Sequence, residues 1–556
     1  MFNKETNFVF KQTVVARAAK VTVLLLASAV SLAASAAVFD SDVDGLKLRW
    51  DNTLKYSTAY RLKSPSPTLT SDPNLDDGDQ NFAARSIISN RVDIFSELDL
   101  EYSNVGLRVS GAGWYDQIYN QSNDNPGVPS AFPNQTSSAY NEFTPATRKL
   151  MGRKAEILDA FAYGRFNLGD TSSVVRVGRH GLVWGESLFF GGNGIAGAMA
   201  PIDIIKLIAV PGMQFKEVIR PVPQVSAQMQ ISPTVSAGAY YQFRWERNRL
   251  PAAGSYFSEA DILDAGGEQL LLGPLGTAPR YADQTPKNSG QGGVQFRFQA
   301  ADADFGLYAV HYHEKNPQVI ARVGAIPGVG VVPVGYQLAF HEGITAFGAS
   351  VSRTFGRANL AAEVSLRRNM DLSSTSGADA SALGAPATNN TDNPAYAVGK
   401  TAHANVSMLL SPPPNALFNE ATLLAEVAWN RVLSCQVNCA ALDPLATRDA
   451  VALRLLFEPT YRQVLPGLDL GVPIGLGYAP KGSRSMALGA AGTPPENGGD
   501  FSIGLNGSYL DAWRVTLNYT KFFGEAKTFV TPAFHYNYGQ PFKDRDFIAF
   551  SVRRAF

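Results

Sequence analysis

Closely spaced carboxylates are the first feature of this sequence that could carry chemistry. The stretch D-P-N-L-D-D-G-D-Q-N-F, residues 72–82, brings together Asp72, Asn74, Asp76, Asp77 and Asp79. Oxygen ligands at alternate positions suit Ca²⁺, so the stretch predicts a candidate structural calcium site at Asp72, Asn74, Asp76 and Asp79. The alternative is a solvated turn held by Asx hydrogen bonds, because Gly78 lies one place late for an EF-hand loop.

A glycine-rich stretch is the second such feature. W-G-E-S-L-F-F-G-G-N-G-I-A-G-A-M-A-P, residues 184–201, is followed by the apolar run 202–210. No Lys-Ser/Thr pair follows the glycines, so a phosphate-binding loop is not indicated. An exposed apolar run of this length is unfavourable on a solvated loop, so this segment must be buried somewhere in the fold.

The remaining reactive side chains do not indicate a catalytic site. The chain contains neither a G-x-S-x-G elbow nor an H-E-x-x-H helix. His311 and His313 share a strand face, but two ligands are too few for a tetrahedral zinc site. Cys435 and Cys439 predict a local disulfide in an oxidising compartment, with two unpaired thiols as the alternative. We therefore expect no catalytic residue and, apart from the possible Ca²⁺, no cofactor: the protein is not predicted to be an enzyme.

The N-terminus indicates export. Lys11, Arg17 and Lys20 precede the apolar run 21–32 and a small-residue stretch. This order is typical of a secretory signal peptide, which we predict to span residues 1–36. The run is too short to cross a bilayer as a helix.

Composition limits the partners and the number of domains. Lys plus Arg is 48 and Asp plus Glu is 48, so there is no net charge to attract nucleic acid. No charged, Ser-rich or Pro-rich linker divides residues 37–556, which we predict to form a single domain.

Alternation of apolar and polar residues recurs along that domain. In W-R-V-T-L-N-Y-T, the set Trp513, Val515, Leu517 and Tyr519 alternates with small, polar or charged residues. Because successive side chains of a strand point to opposite faces, each strand has one apolar and one ionic face. The predicted ionic face contains Arg91, Asp93, Asp99, Arg244, Glu246, Glu363, Arg367, Glu426, Arg454, Glu458 and Arg514.

The spacing of turn signals predicts how these strands are joined. Eight short turns alternate with nine long Gly, Pro, Asn and Asp-rich connections, which implies 18 strands. A sheet can span hydrocarbon only if it closes on itself, and this pattern is typical of outer-membrane barrels. We therefore predict an all-β fold, a transmembrane antiparallel up-and-down β-barrel with short periplasmic turns and long extracellular loops. Its apolar face would contact outer-membrane lipid, and its ionic face would line the lumen.

Within such a barrel, the apolar segment 184–214 would be buried if it entered the barrel mouth. We predict that it folds inward as a constriction or plug loop, with Trp184, Glu186 and Asp203 beside the path. The alternative is a cap packed on the outer rim, since loops tend to lie on surfaces.

Several stretches resemble a family of Gram-negative outer-membrane proteins known as domain of unknown function 1302. They include residues 74–82, G-R-H-G-L-V-W-G-E-S at 178–187, W-E-R-N-R-L-P-A-A-G-S-Y-F at 245–257 and D-R-D-F at 544–547. The terminal Phe556 also resembles the signal that the barrel-assembly machinery recognises. The family resemblance implies handling of hydrophobic compounds, often beside a periplasmic lipoprotein-carrier-like partner, and it supplies no catalytic residues.

Together these features predict an outer-membrane, porin-like channel for small, hydrophobic or amphipathic molecules in a Gram-negative bacterium. Two alternatives remain open. The barrel could be a docking component of a trans-envelope lipid or efflux assembly, or it could anchor a surface ligand-binding protein.

Overall fold

The protein is described here from a computed structural model covering residues 37–40, 45–127, 133–169, 171–210, 214–482 and 493–556. The predicted signal peptide, residues 1–36, lies outside the described residues.

The main sheet closes into a barrel of 18 antiparallel strands. In chain order these are β1 Leu46–Arg61, β2 Ile87–Tyr102, β3 Val105–Asp116, β4 Arg153–Leu168, β5 Thr171–His180, β6 Val222–Ser232, β7 Val235–Gln242, β8 Gln291–Ala300, β9 Ala303–Tyr312, β10 Ile344–Phe355, β11 Ala358–Asp371, β12 Val398–Leu410, β13 Glu420–Val437, β14 Asp449–Leu465, β15 in two pieces (Leu468–Gly471 and Ile474–Lys481), β16 Gly499–Tyr509, β17 Trp513–Phe523 and β18 Phe547–Ala555.

Closure pairs the first barrel strand with the last. β18 pairs with β1, with Thr53 opposite Ala555 and Arg61 opposite Phe547. The terminal Phe556 exchanges two backbone hydrogen bonds with Asn52, of 2.7 and 2.9 Å. Every neighbouring pair of barrel strands is antiparallel, so the predicted fold class and strand number are confirmed.

Burial along β11 shows which face points outward. Val364 and Leu366 are 55 and 53% exposed, whereas their neighbours Glu363 and Arg367 are 3 and 4% exposed. The exposed apolar side chains form the outer surface, as expected for contact with hydrocarbon rather than water. The ionic side chains of the same strand face the lumen.

The two rims differ as the turn signals predict. Eight short connections lie at one rim, together with the start of β1 and the end of β18, and the nine long loops lie at the other. One predicted strand is shorter than expected: β7 ends at Gln242, so Arg244, Trp245 and Glu246 belong to the following loop. There Trp245 packs against Phe340, with ring centroids 5.0 Å apart, instead of facing lipid.

The loops contain most of the remaining secondary structure. Their short strands are Gln269–Leu271, Thr277–Pro279, Ala378–Asp379 and the longer hairpin Gln318–Ile326 with Gly330–Ala339. The short strand Ala37–Asp40 lies outside the loops and pairs with the start of β1. The helical turns are Asp77–Gln80, Ile118–Asn120, Pro145–Thr147, Arg148–Gly152, Ala196–Met199, Ile204–Ala209, Phe215–Glu217, Gly273–Leu275, Ser381–Leu383 and Cys439–Ala441. Within the described ranges, no helix is both long and apolar enough to cross a bilayer.

A hydrophobic core forms among the long loops. Its buried rings include Phe82, Tyr119, Phe143, Tyr256 and Phe547, which come from three loops and from the start of β18. The ring of Phe82 lies edge-on to Tyr256 at 5.4 Å. Because these rings come from distant parts of the chain, they fix the long loops relative to one another over the mouth of the barrel.

Candidate functional site

The long connection between β5 and β6 enters the barrel and contacts the inner wall. Its residues 184–200 contact the inward faces of β11, β12 and β13, and its helices Ala196–Met199 and Ile204–Ala209 cover apolar neighbours. We call residues 181–221 the inner segment. It is described except for residues 211–213.

Glu426 on β13 is the first anchor of the inner segment. Its Oε2 accepts hydrogen bonds from the backbone N–H groups of Phe189 (2.5 Å) and Phe190 (2.9 Å). Its Oε1 accepts from Ser187 Oγ and from Asn405 Nδ2, each at 2.7 Å. A carboxylate saturated in this way satisfies backbone donors that would otherwise be buried without partners.

Glu363 on β11 is a second anchor of the same kind. Its two oxygens accept from the backbone N–H groups of Glu186 (2.7 Å) and Ile195 (2.5 Å). A Cβ on Gly194 would lie 2.6 Å from the carboxylate, and Gly185, at φ +97°, makes a still closer approach. Glycine at these two positions therefore allows the segment to reach the wall.

Arg367 and Asn193 complete the attachment. Arg367 Nη2 donates to the carbonyl oxygens of Gly192, Asn193 and Gly194 at 2.9–3.0 Å. The Asn193 amide donates to Asn405 Oδ1 at 2.7 Å and accepts from His403 Nδ1 at 2.9 Å. The wall thus holds the glycine-rich turn through both its donors and its acceptors.

The three predicted constriction residues have different positions. Trp184 is buried against the wall, with its ring 5.0 Å from Tyr240, and Glu186 pairs with Arg297 at 3.1 Å. Asp203 does not border an open path: its carboxylate caps the helix Ile204–Ala209 and pairs with Arg249 at 2.8 Å. The prediction for Asp203 is therefore corrected, because a buried helix cap and ion pair occupy both of its oxygens.

A cavity of about 180 Å³ lies between the inner segment and the long loops. We call it the vestibule. Most of its lining is aromatic or aliphatic, including Phe189, Phe190, Leu207, Ile208, Phe215, Leu250, Phe257, Leu263, Val319 and Phe529. Such a lining favours apolar surface over water, so the vestibule can accept a small hydrophobic molecule.

Polar and charged groups, among them Glu259, Glu314, Lys315, Arg367 and Asp371, also line the cavity. Lys315 Nζ donates to the carbonyl oxygen of Ala198 at 3.1 Å, and burial lowers the pKa of this amine to about 8. Glu314 accepts hydrogen bonds from Asn316, of 2.9 and 3.0 Å. These groups could orient the polar end of an amphipathic molecule.

Most of the predicted lumen residues lie on the inward face of their strands, where opposite charges are paired. Arg91 lies 2.5 Å from Asp93, and Arg454 lies 2.7 Å from Asp500. The inward set on strands comprises Arg91, Asp93, Asp99, Glu363, Arg367, Glu426, Arg454, Glu458 and Arg514. Arg244 and Glu246 differ because β7 ends before them, and Glu246 pairs at the loop rim with Arg179 and Arg220.

The acidic stretch 72–82 divides into two groups instead of forming the predicted calcium set. Asp79 lies between two buried guanidinium groups, 3.0 Å from Arg61 and 2.9 Å from Arg545. Although burial acts to raise it, the pKa of Asp79 is lowered by Arg545 and Arg61. Asp79 is therefore engaged with two arginines and does not belong to the group formed by Asp76, Asp77 and Asp261.

Asp76 and Asp77 instead join Asp261 from the loop after β7. One oxygen of each carboxylate lies within 4.8 Å of the others, and all three residues are buried. Burial raises the pKa of Asp76 to about 7 and that of Asp77 to about 6. Asp72 is not in this group. Its Oδ1 accepts from the Asn74 backbone, as in the Asx turn that was the alternative prediction.

Sequence reasoning missed the partners that these residues find across the chain. Asp79 and Arg545 are both in stretches singled out by the family resemblance, but nothing in either stretch indicates that they pair. The anchoring roles of Glu363 and Glu426 were likewise hidden, since on their strands they look like any other lumen charge. Cys435, near the loop-side end of β13, forms a disulfide with Cys439, the first residue of the helical turn Cys439–Ala441.

Comparison with solved structures finds bacterial proteins of low similarity, one of them described as an outer membrane channel. Acinetobacter baumannii OccAB4 is 9% identical with a TM-score of 0.43, covering 92% of this chain and 98% of that one. Pseudomonas aeruginosa OccK2 (OpdF) is 10% identical with a TM-score of 0.39, covering 92% and 97%. The A. baumannii outer membrane channel DcaP is 9% identical with a TM-score of 0.35, covering 94% and 100%. Similarity at this level does not extend to function.

Comparison at the sequence level is more direct. No curated protein matches the chain. The model of one family, described as protein of unknown function (DUF1302), matches residues 17–556, which is nearly the whole sequence. The chain therefore belongs to the DUF1302 family.

Proposed function

We propose that this protein is an outer-membrane channel of a Gram-negative bacterium that admits small hydrophobic or amphipathic molecules. The observation that carries the proposal is the vestibule, an apolar cavity enclosed by the loops on one side and by the inner segment on the other. A general hydrophilic pore has no need of such a cavity, because water and ions gain nothing from aromatic walls.

Beyond the inner segment, the lining is ionic rather than apolar. Inward residues such as Arg108, Asp99, Asp159 and Arg176 line a polar pocket nearer the short-turn rim. A molecule leaving the vestibule would therefore pass from an apolar to an ionic surrounding. The inner segment lies at this boundary, so we assign it the role of constriction.

Conductance of the purified protein in a planar bilayer tests the channel role. We expect steady ion current from the wild type and a larger current after deletion of Gly191 to Ala200, because that part of the inner segment contacts the wall strands. Octanoate added to the loop side should reduce the wild-type current by occupying the vestibule, whereas glucose at the same concentration should not.

Two outcomes would contradict the proposal. If neither the wild type nor the deletion variant conducts, a docking component for a periplasmic lipid carrier or a surface ligand-binding protein becomes the better explanation. If octanoate and glucose act alike, the protein conducts but does not select apolar molecules.

A further inference from the structure

Three carboxylates from two loops meet at the extracellular side of the barrel. Asp76 and Asp77 belong to the loop between β1 and β2, and Asp261 belongs to the loop between β7 and β8. Asp76, Asp77 and Asp261 are 7, 8 and 3% exposed. One oxygen from each lies within 4.8 Å of one from each of the other two.

Among the hydrogen bonds of these carboxylates within the described residues, none reaches one buried oxygen of Asp261. Asp77 accepts from the side-chain amides of Asn125 (2.9 Å) and Asn134 (2.7 Å), and Asp76 accepts from Gln80 (3.2 Å). Asp261 Oδ2 accepts from the backbone N–H of Asp77 at 3.2 Å. Asp261 Oδ1 is buried and has no hydrogen-bond partner among the described residues.

No nearby side chain neutralises the group. In the described part of the chain, no ion pair joins Asp76, Asp77 or Asp261 to a lysine or arginine. Arg545 is the basic group whose field reaches Asp261, but its guanidinium is already engaged with Asp79. Ionised carboxylates buried this close together repel one another unless a cation or a proton lies between them.

We propose that Asp76, Asp77 and Asp261 form a Ca²⁺ site that joins their two loops. Ca²⁺ binds oxygen ligands at 2.3–2.6 Å, so two oxygens on one ion are at most roughly 5 Å apart. The three carboxylate oxygens here all lie within 4.8 Å of one another, which is within that limit. The unused oxygen of Asp261 supplies a ligand that nothing else satisfies. The set contains no His or Cys, as expected for a hard cation rather than zinc.

The site would fasten a wall of the vestibule. Asp261 lies between Glu259 and Leu263, which both line that cavity. The two loops already touch: a Cβ on Gly78 would lie 2.7 Å from the carbonyl oxygen of Ser258. A cation beside this contact would hold residues 255–263 in place, and the inference does not depend on what the vestibule admits.

Thermal unfolding of the whole protein in dodecyl maltoside, freed of lipopolysaccharide and treated with EDTA, tests the site. We expect CaCl₂ to raise the unfolding midpoint until it saturates, with a dissociation constant on the order of 10⁻⁴ to 10⁻³ M, as in extracellular calcium modules. Radioactive ⁴⁵Ca²⁺ should bind the wild type at one ion per chain.

Two substitutions separate this site from its alternatives. Asp261→Asn should abolish the calcium-dependent shift and raise the midpoint without calcium, because it removes one of three mutually repelling charges. Asp72→Asn should keep the wild-type shift, since Asp72 lies outside the group. If Asp261→Asn does not fold, Asp76→Asn takes its place. Absence of a calcium-dependent shift in the wild type, or an unchanged shift in Asp261→Asn, overturns the proposal.

Discussion

At the residue scale, the most constrained ion pair is the one centred on Asp79. Arg545 donates two hydrogen bonds to this carboxylate and also donates to the carbonyl oxygens of Tyr256 and Ser258. Arg61 donates to Asp79 and to the carbonyl oxygen of Phe82. Asp79 and Arg545 together thus connect the loop after β1, the loop after β7 and the segment that leads into β18.

Asp79→Asn should destabilise the barrel strongly. Removing one partner of a buried ion pair leaves uncompensated charge, here mainly on Arg545, since Arg61 keeps a second carboxylate, Asp544, at 3.3 Å. Such a loss typically costs about 3–5 kcal/mol. Urea unfolding in lipid vesicles, followed by tryptophan fluorescence, measures the change.

An exposed pair provides the control for this prediction. Glu420 pairs with Arg462 at 2.7 Å on the solvent-exposed side of the short-turn rim, with both side chains at least half exposed. Glu420→Gln should leave the unfolding midpoint unchanged, because solvent screens exposed pairs. Equal destabilisation by the two substitutions would show that burial of Asp79 is not the cause.

At the element scale, contacts with the barrel wall hold the inner segment in place more than contacts within the segment do. Its longest helix, Ile204–Ala209, has six residues, too short to be stable alone. The N–H groups of Glu186, Phe189, Phe190 and Ile195 all donate to wall carboxylates. The position of the segment therefore depends on Glu363 and Glu426.

Glu426→Gln should loosen the inner segment and increase conductance. An amide has one acceptor oxygen, so it cannot serve both Ser187 and the two phenylalanine N–H groups. Losing a charge-assisted hydrogen bond costs about 1.5–3 kcal/mol, which raises the detached population roughly ten- to a hundredfold. Single-channel recording would show this as longer or more frequent high-current states.

Glu458 on β14 is a matched control for this substitution. It is also an inward-facing glutamate, and its oxygen accepts from Asn506 on the barrel wall at 3.1 Å. Glu458→Gln should leave the gating of the current as in the wild type. If both variants change the current equally, lumen charge rather than anchoring controls conduction.

At the scale of the whole molecule, the barrel separates two environments across one layer of strands. Leu517 is 43% exposed on the outer surface, whereas the adjacent Thr516 lies on the inner face of the same strand. Neighbours on one strand thus meet hydrocarbon and a polar lumen.

Lysine at these two positions should therefore have different effects. Leu517→Lys places a charge in lipid and should cost about 2–4 kcal/mol near the bilayer midplane. Thr516→Lys should cost much less, because the lumen already contains ionic groups. Reversible urea unfolding in vesicles compares the two variants, and equal costs would be inconsistent with a lipid-facing outer surface.

Much of the barrel could be predicted from the sequence because the face on which a strand residue lies depends only on its position along that strand. In a closed membrane sheet, successive side chains of a strand face lipid and lumen in turn. Val364 can therefore be assigned to the lipid side and Glu363 to the lumen without knowing which residues they contact. Turn residues fix the strand number in the same local way. The error at Arg244 and Glu246 arose where loop packing around Trp245 ends β7 early.

The candidate site could be predicted only in outline. The apolar composition of residues 202–210 indicates that the segment must be buried, but not that Asp203 pairs with Arg249 or that Glu426 holds Phe189. These contacts join residues 46 and 237 positions apart, and Asp79 meets Arg545 across 466 positions. Alternation along the chain determined which residues of the barrel wall face lipid and which face the lumen. The pairing of buried charges was decided only when the closed barrel and its loops brought distant groups together.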